Sequence, residues 1–297
     1  LSVVLVLYLV EVGLKDWEVG LLLTLTLAGD TAISLWLTTT ADRLGRRRTL
    51  IAGAILMVLA GIVFVSTGNM FLLLVAATIG VISPSGNEIG PFLSVEQAAL
   101  SHIVSDEQRT DVFAWYNLVG SFSTAVGALA GGLIAEASQH FGLIGAAGFR
   151  PVLWAYAGIG LVLIGGFALL SPAIEANIGN ESATPSKTVL GLHESRWIVF
   201  RLSLLFALDA FGGGFVIQSI IAYWFHVRFQ LDPAMLGTIF LFANLLAGVS
   251  ALAAGWLARR IGLVNTMVFT HLPSNVMLIL VPLMPNVYSA VGLLLLR

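Results

Sequence analysis

Glu88 and Glu96 fall within VISPSGNEIGPFLSVEQAAL (residues 81–100), Asp209 within LDAFGGGFVIQS and Asp30 within LAGDTAIS. All four carboxylates are embedded in strongly apolar sequence. Held ionised at the centre of a bilayer, such a group costs about 2.5–3.5 kcal/mol even on the lenient insertion scale. A chain keeps it only where it pairs, lines water or carries its proton. Those states suit a proton-coupled carboxylate, or a direct ligand for a cationic or hydroxyl-rich solute. Gln218 and Tyr223 follow Asp209 on the same stretch, and Arg297 follows VGLLLL. An arginine at that depth offers a partner to Asp209 or to an anionic solute.

Whether these groups lie in a bilayer is decided by composition. Of 297 residues, 58% are hydrophobic and only 10% charged, with a mean hydropathy of +0.96. A soluble domain carries about 25% charged residues and needs that polar shell to cover its apolar interior. The chain is therefore read as a polytopic membrane protein. Its net charge of −2 names no partner, and zero cysteines exclude disulfides, thiolate metal sites and cysteine nucleophiles.

A span takes about 20 apolar residues, each adding about 1.5 Å across a hydrocarbon core of roughly 30 Å. The expected spans are 1–13 (partial), 18–38, 48–67, 70–101, 111–135, 150–170, 198–225, 233–257, 264–283 and 286–297 (partial). These runs are long, rich in Leu, Ala and Gly, and show no period-two alternation, so the expected fold is an all-α membrane helix bundle. Both ends read as cut through membrane helices, hence as a fragment inactive by itself.

Basic residues test this threading. Arg43, Arg46, Arg47, Arg48, Arg109, Lys187, Arg196, Arg201, Arg259 and Arg260 fall in alternate loops, whereas the opposite loops hold only Lys15, Arg150 and Arg228. The positive-inside rule places the first set in the cytoplasm. The expected location is a multi-pass protein of the plasma (inner) membrane, with loops 2–3, 4–5, 6–7 and 8–9 cytoplasmic. Residues 172–197 form the long polar connector between an amino-terminal half (1–171) and a carboxy-terminal half (198–297). ADRLG at Ala41–Gly45 recurs as ARRIG at Ala258–Gly262, each in a short loop between two spans. Such parallel repeats are a transporter architecture.

The first of these loops reads TTTADRLGRRRTL. It resembles the signature of the major facilitator superfamily, in which a glycine and three residues precede Asp-Arg-x-Gly-Arg-Arg. Asp42, Arg43, Gly45, Arg46 and Arg47 match, and Thr38 stands where the family has its leading glycine. The second copy keeps Gly255 and Gly262 but has Arg259 in place of Asp42, followed by Arg260. The resemblance implies two six-helix halves, truncated here to about ten helices. It also implies that the loop contact holds the cytoplasmic gate in one state and breaks in the other. Setting topology is the plainer use of four arginines, but topology needs neither Asp42 nor Gly45.

In that family the first, fourth, seventh and tenth helices line a central cavity. The resemblance therefore implies that Glu88 faces the solute path and that Asp209 faces it from across the cavity. Glu88 alternatively caps a helix broken around Gly86–Pro91, and Glu96 alternatively belongs to the cytoplasmic gate. Asp30 lines the cavity wall or pairs within the amino-terminal half, and Gln218 and Tyr223 line the outer part. The fourth span is expected to run on through SPSGNEIGPF, bent by Pro84 and Pro91. Helix five carries Gly127, Gly131 and Gly132, which resemble part of the antiporter motif of drug:proton exchangers, with Ser123 and Ala128 in place of a glycine and the proline. Ordinary small-residue packing explains the same pattern. His271 is either a proton carrier or part of a kink with Pro273.

Other chemistries fit poorly. An intramembrane aspartyl protease needs Gly-x-Gly-Asp, but Asp30 follows Leu27-Ala28-Gly29, and no Gly-x-Ser-Gly turn marks a serine protease. The five histidines are scattered rather than spaced for a metal. The expectation is a secondary transporter working by alternating access, proton-coupled, with efflux favoured over uptake. A transporter-like sensor without turnover is the reading of another class. The expected partners are a small-molecule solute, protons and the bilayer, with no nucleic acid, cofactor or metal, and the expected state is a monomer.

Overall fold

A computed structural model of the chain describes residues 1–86, 90–171, 174–175 and 196–297. Every regular element among them is helical. In chain order they are α1 (Ser2–Glu11), α2 (Asp16–Leu44), α3 (Arg46–Ser66), α4 (Met70–Ile79), α5 (Gly90–Ile103), α6 (Asp106–His140) and α7 (Arg150–Ala168). After the connector come α8 (Arg196–Gly214), α9 (Gln218–Phe229), α10 (Pro233–Ile261), α11 (Leu263–Leu280) and α12 (Val287–Leu296). Short 3₁₀ turns at Gly145–Phe149 and Val281–Leu283 lead into α7 and out of α11.

Local chemistry sets the ends. Glu18 accepts the Lys15 backbone N–H at 2.7 Å to start α2. Asn69 accepts from Phe71 and Leu72 at the head of α4, and Asp232 accepts from Met235 at 2.7 Å at the head of α10. These side chains satisfy first-turn donors that have no partner within the helix. Pro233 occupies the first turn of α10, where a missing N–H costs nothing.

Large apolar side chains face outward over most of the bundle, among them Trp36, Phe71, Trp154, Leu204 and Phe269, as a protein solvated by lipid requires. The opposite case is α1, whose residues from Ser2 to Leu9 are all buried. A helix that is apolar all round belongs inside.

Lipid gives helices little hydrophobic reason to associate, so close contact comes from small residues. The long pair α6 and α10 shows this best. A Cβ on Gly132 would collide with the Pro233 carbonyl, and one on Gly237 would come within 2.8 Å of the Ala128 carbonyl. Further along the same pair, Gly248 faces Ser121. Among the described residues, six segments are long and apolar enough to cross a membrane. Each expected span has its helix, but the fourth and seventh are each divided, into α4 with α5 and α8 with α9. The fourth does not run on through its proline-rich stretch. It stops at Ile79 and resumes at Gly90, with Pro91 in the new first turn.

Candidate functional site

The two divisions meet. Pro84, in the gap after α4, is buried, and its carbonyl accepts two hydrogen bonds from Ser219 at the head of α9. One comes from the hydroxyl at 2.5 Å and one from the backbone N–H at 3.2 Å. A carbonyl has two lone pairs, and both are used. Beside it Gln218 Nε2 donates to Ser2 Oγ on α1 at 3.0 Å. Gly86 completes the junction, since a Cβ there would lie 3.1 Å from Ser2 Oγ and 3.2 Å from Gln218 Oε1. Pro84 has no N–H, and a broken helix leaves carbonyls bare at a depth where no lipid group can serve them. This clasp of Ser2, Pro84, Gln218 and Ser219 answers that need with atoms from chain segments more than 130 residues apart.

Chambers lie on either side of the clasp. The larger, of about 1040 Å³, is lined by Asp30 and Thr31 on α2, Ser85 in the first gap and Gly213 and Gly214 ending α8. Gln218 and Ile221 on α9, Phe240 to Ala254 along α10, Thr270 on α11 and Leu294 to Arg297 complete it. It extends along α10 towards the turn at Gly262. The smaller, of about 480 Å³, lies towards the other end, between Glu11, Gly145, Tyr223, His226 and Asp232. There His226 Nδ1 is 2.7 Å from the Leu231 carbonyl.

The motif loop is a single-residue turn. Gly45 adopts φ 97°, a left-handed backbone that a side chain would strain, and joins α2 directly to α3. The carboxylate of Glu175 sits over the first turn of α3. It accepts the Arg46 N–H at 2.7 Å and the Arg47 N–H at 3.3 Å, where a helix N-terminus favours negative charge. The buried Arg46 guanidinium donates to the Ile174 carbonyl at 3.3 Å and to Ala98 of α5 at 3.5 Å, and Arg47 donates to the Ala168 carbonyl at the end of α7. These bonds tie α3 to α5 and α7. Arg43 is exposed.

Of the sequence-predicted residues, Asp30, Gln218 and Arg297 come together in the larger chamber. Tyr223 lines the smaller one. Glu96 lines neither: its Oε2 accepts the Tyr116 hydroxyl at 2.5 Å, joining α5 to α6. Glu88 lies outside the described residues, as does most of the connector. Asp209 and Asp42 are placed on α8 and α2, with side chains outside the description. His271 is exposed on α11, a helix with Pro273 in its interior, although its neighbour Thr270 reaches the larger chamber.

The family described as Major Facilitator Superfamily matches residues 1–296. The chain belongs to the Major Facilitator Superfamily. It is 31% identical over 310 aligned residues to the uncharacterized membrane protein YJR124C of Saccharomyces cerevisiae, an alignment covering 95% of this chain and 69% of the yeast protein. The chain is accordingly an all-α, multi-pass membrane transporter, and the superfamily's loop signature is the Gly45 turn.

Within this superfamily member the three glycines of α6 differ in role. Gly132 is the close contact with α10, Gly131 is within 4 Å only of Val152 and Leu1, and nothing lies that close to Gly127. Packing alone accounts for Gly132. At the second turn Gly262 has φ 86°, Arg259 is exposed, and Arg260 lies over the Trp256 ring at 4.1 Å from its centroid.

Sequence reasoning missed Glu175, which lies in the polar connector 129 residues from its partner Arg46. It missed the clasp, because serines in an apolar stretch carry no signal of their partners. Asn244, buried on α10 and lining the larger chamber, could have been found. A lone amide in FLFANLLAG is unusual for the same desolvation reason as a lone acid.

Proposed function

We propose that this chain forms the core of a secondary carrier that moves a small solute by alternating access, driven by proton exchange, with export as the direction. The observation that supports this most directly is the 1040 Å³ chamber, walled by α2 and the first gap on one side and by α8 to α12 on the other, and stoppered by the clasp. A wall shared between two chain segments changes shape when they rock, and a stopper built from a few hydrogen bonds opens at modest cost, each being worth about 1 kcal/mol net. The segments are the amino-terminal half, 1–171, and the carboxy-terminal half, 198–297. In this reading the basic residues beside Gly45 and Gly262 face the cytoplasm, by the positive-inside rule, at the plasma membrane. The Asp42–Arg47 turn is then a cytoplasmic latch, and Glu88 and Asp209 exchange the proton. The export direction rests on the glycines of α6.

The test uses the whole protein in liposomes with a pH dye trapped inside. Glu88→Gln is expected to abolish proton-driven accumulation while leaving solute counterflow. Accumulation against a gradient by that variant overturns the Glu88 assignment, and absence of counterflow in the unaltered protein points instead to a sensor. The clasp has its own readout, because these residues include no cysteine. In an Ile221→Cys background, Ser219→Ala should speed labelling by an impermeant thiol reagent from the side opposite the glycine turns. An unchanged rate would mean the clasp is no barrier.

A further inference from the structure

The larger chamber also carries a directional recognition point. Asn244 is 9% exposed, and what it does expose faces the chamber it lines. Its Nδ2 donates to the Phe240 carbonyl at 2.8 Å. A backbone carbonyl can only accept, so the amide cannot be turned round, and Oδ1 points away from Phe240. No described residue donates to Oδ1. With no partner among the described residues, Oδ1 stays open to the chamber, where a donor on whatever fills it can reach it.

One neighbour asks for the same thing. Gln218 spends its Nε2 on Ser2, and no described residue donates to its Oε1. The hydroxyls of Thr31 and Thr270 are turned back on the Leu27 and Thr266 carbonyls of their own helices, both at 2.8 Å, and so offer the chamber no proton. Arg297 brings a guanidinium to the same lining. Most of the remaining lining is aliphatic, and its one aromatic is Phe240, so the box of rings that favours quaternary ammonium groups is missing among the described residues.

The geometry points to a solute of one class: an aliphatic body bearing a hydrogen-bond donor, either a hydroxyl or a primary or secondary ammonium, with Asn244 Oδ1 as its specificity-determining acceptor. This rests on the larger chamber being the solute site of the carrier.

The probes are cyclohexanol, cyclohexylamine and methoxycyclohexane, which share a skeleton and differ in the donor. Binding is read as the shift in melting temperature of the whole protein in nanodiscs. The alcohol and the amine should each raise it at millimolar concentration, and the ether should not. Asn244→Leu should weaken both at least tenfold. Asn244→Asp keeps the shape and the acceptor while adding charge, and should favour the amine over the alcohol by about tenfold more than the unaltered protein does. An ether that binds as well as the alcohol overturns the inference, as does an unchanged response in Asn244→Leu. If the leucine variant fails to fold, an unaltered amine-to-alcohol ratio in Asn244→Asp overturns it equally. Selective binding without counterflow would instead sink the carrier reading and leave this one standing.

Discussion

The turns at Gly45 and Gly262 are near copies in backbone and unlike in everything around it. Both glycines are left-handed, at φ 97° and 86°, and each is the sole residue between two long helices. In both, a threonine four residues on returns its hydroxyl to the glycine carbonyl, Thr49 at 3.0 Å and Thr266 at 2.8 Å. There the likeness stops. The α3 end is capped by Glu175 and tied to α5 and α7 by Arg46 and Arg47. At α11 no described side chain caps the first turn, no described atom lies within 4 Å of a Cβ built on Gly262, and the nearby arginines are exposed. The repeated geometry belongs to the hairpin, whereas the anchoring belongs to one copy. One turn is held by a carboxylate from the connector, and among the described residues its counterpart has no such anchor.

The largest effect should come from Gly45→Val. A branched side chain at φ 97° carries about 1–3 kcal/mol of strain, and its Cβ would lie 3.3 Å from both Glu175 oxygens. Loss of most folded protein on a fluorescence-detected sizing column is the expected outcome. Gly262→Val carries the strain alone and should lower the melting temperature without abolishing folding. If the two variants behave alike, the Glu175 anchor contributes nothing. Next, Glu175→Ala removes a cap worth about 1 kcal/mol, read as a lower midpoint in denaturant. Combined with Gly45→Ala the losses should fall short of the sum, because both act on one contact. The smallest change should follow Arg260→Gln, which gives up an exposed cation–π contact worth about 0.5 kcal/mol. A melting temperature altered by more than that of Glu175→Ala would reverse the ranking.

The spans were legible because length and apolarity are read residue by residue, but their divisions were not: Pro84 and the run Gly212–Gly214 mark weak helix without saying that it stops. What the divided ends would meet was not legible. Ser219 reaches Pro84 across 135 residues, and a serine in apolar sequence looks the same whether it bonds its own helix or another. Glu96 shows the converse. Its depth suggested a cavity or a gate, while its bond from Tyr116 on the adjacent helix went unseen, since nothing in WYNLVG marks that tyrosine as a partner. The glycine turn was read from its motif, yet the acid that holds it belongs to a connector whose composition suggested only solvent. Asp30, Gln218 and Arg297 were picked out by the cost of polar groups in apolar sequence together with the superfamily's helix arrangement, and they share the lining of the larger chamber.

The short helix α9 has one further consequence. Its first turns, at Gln218 and Ile221, wall the larger chamber, and its later turns, at Tyr223 and His226, wall the smaller. It is a rod of 12 residues, separated from α8 by the gap at Phe215–Ile217. Because one short partition serves both compartments, any displacement of it reshapes the two together.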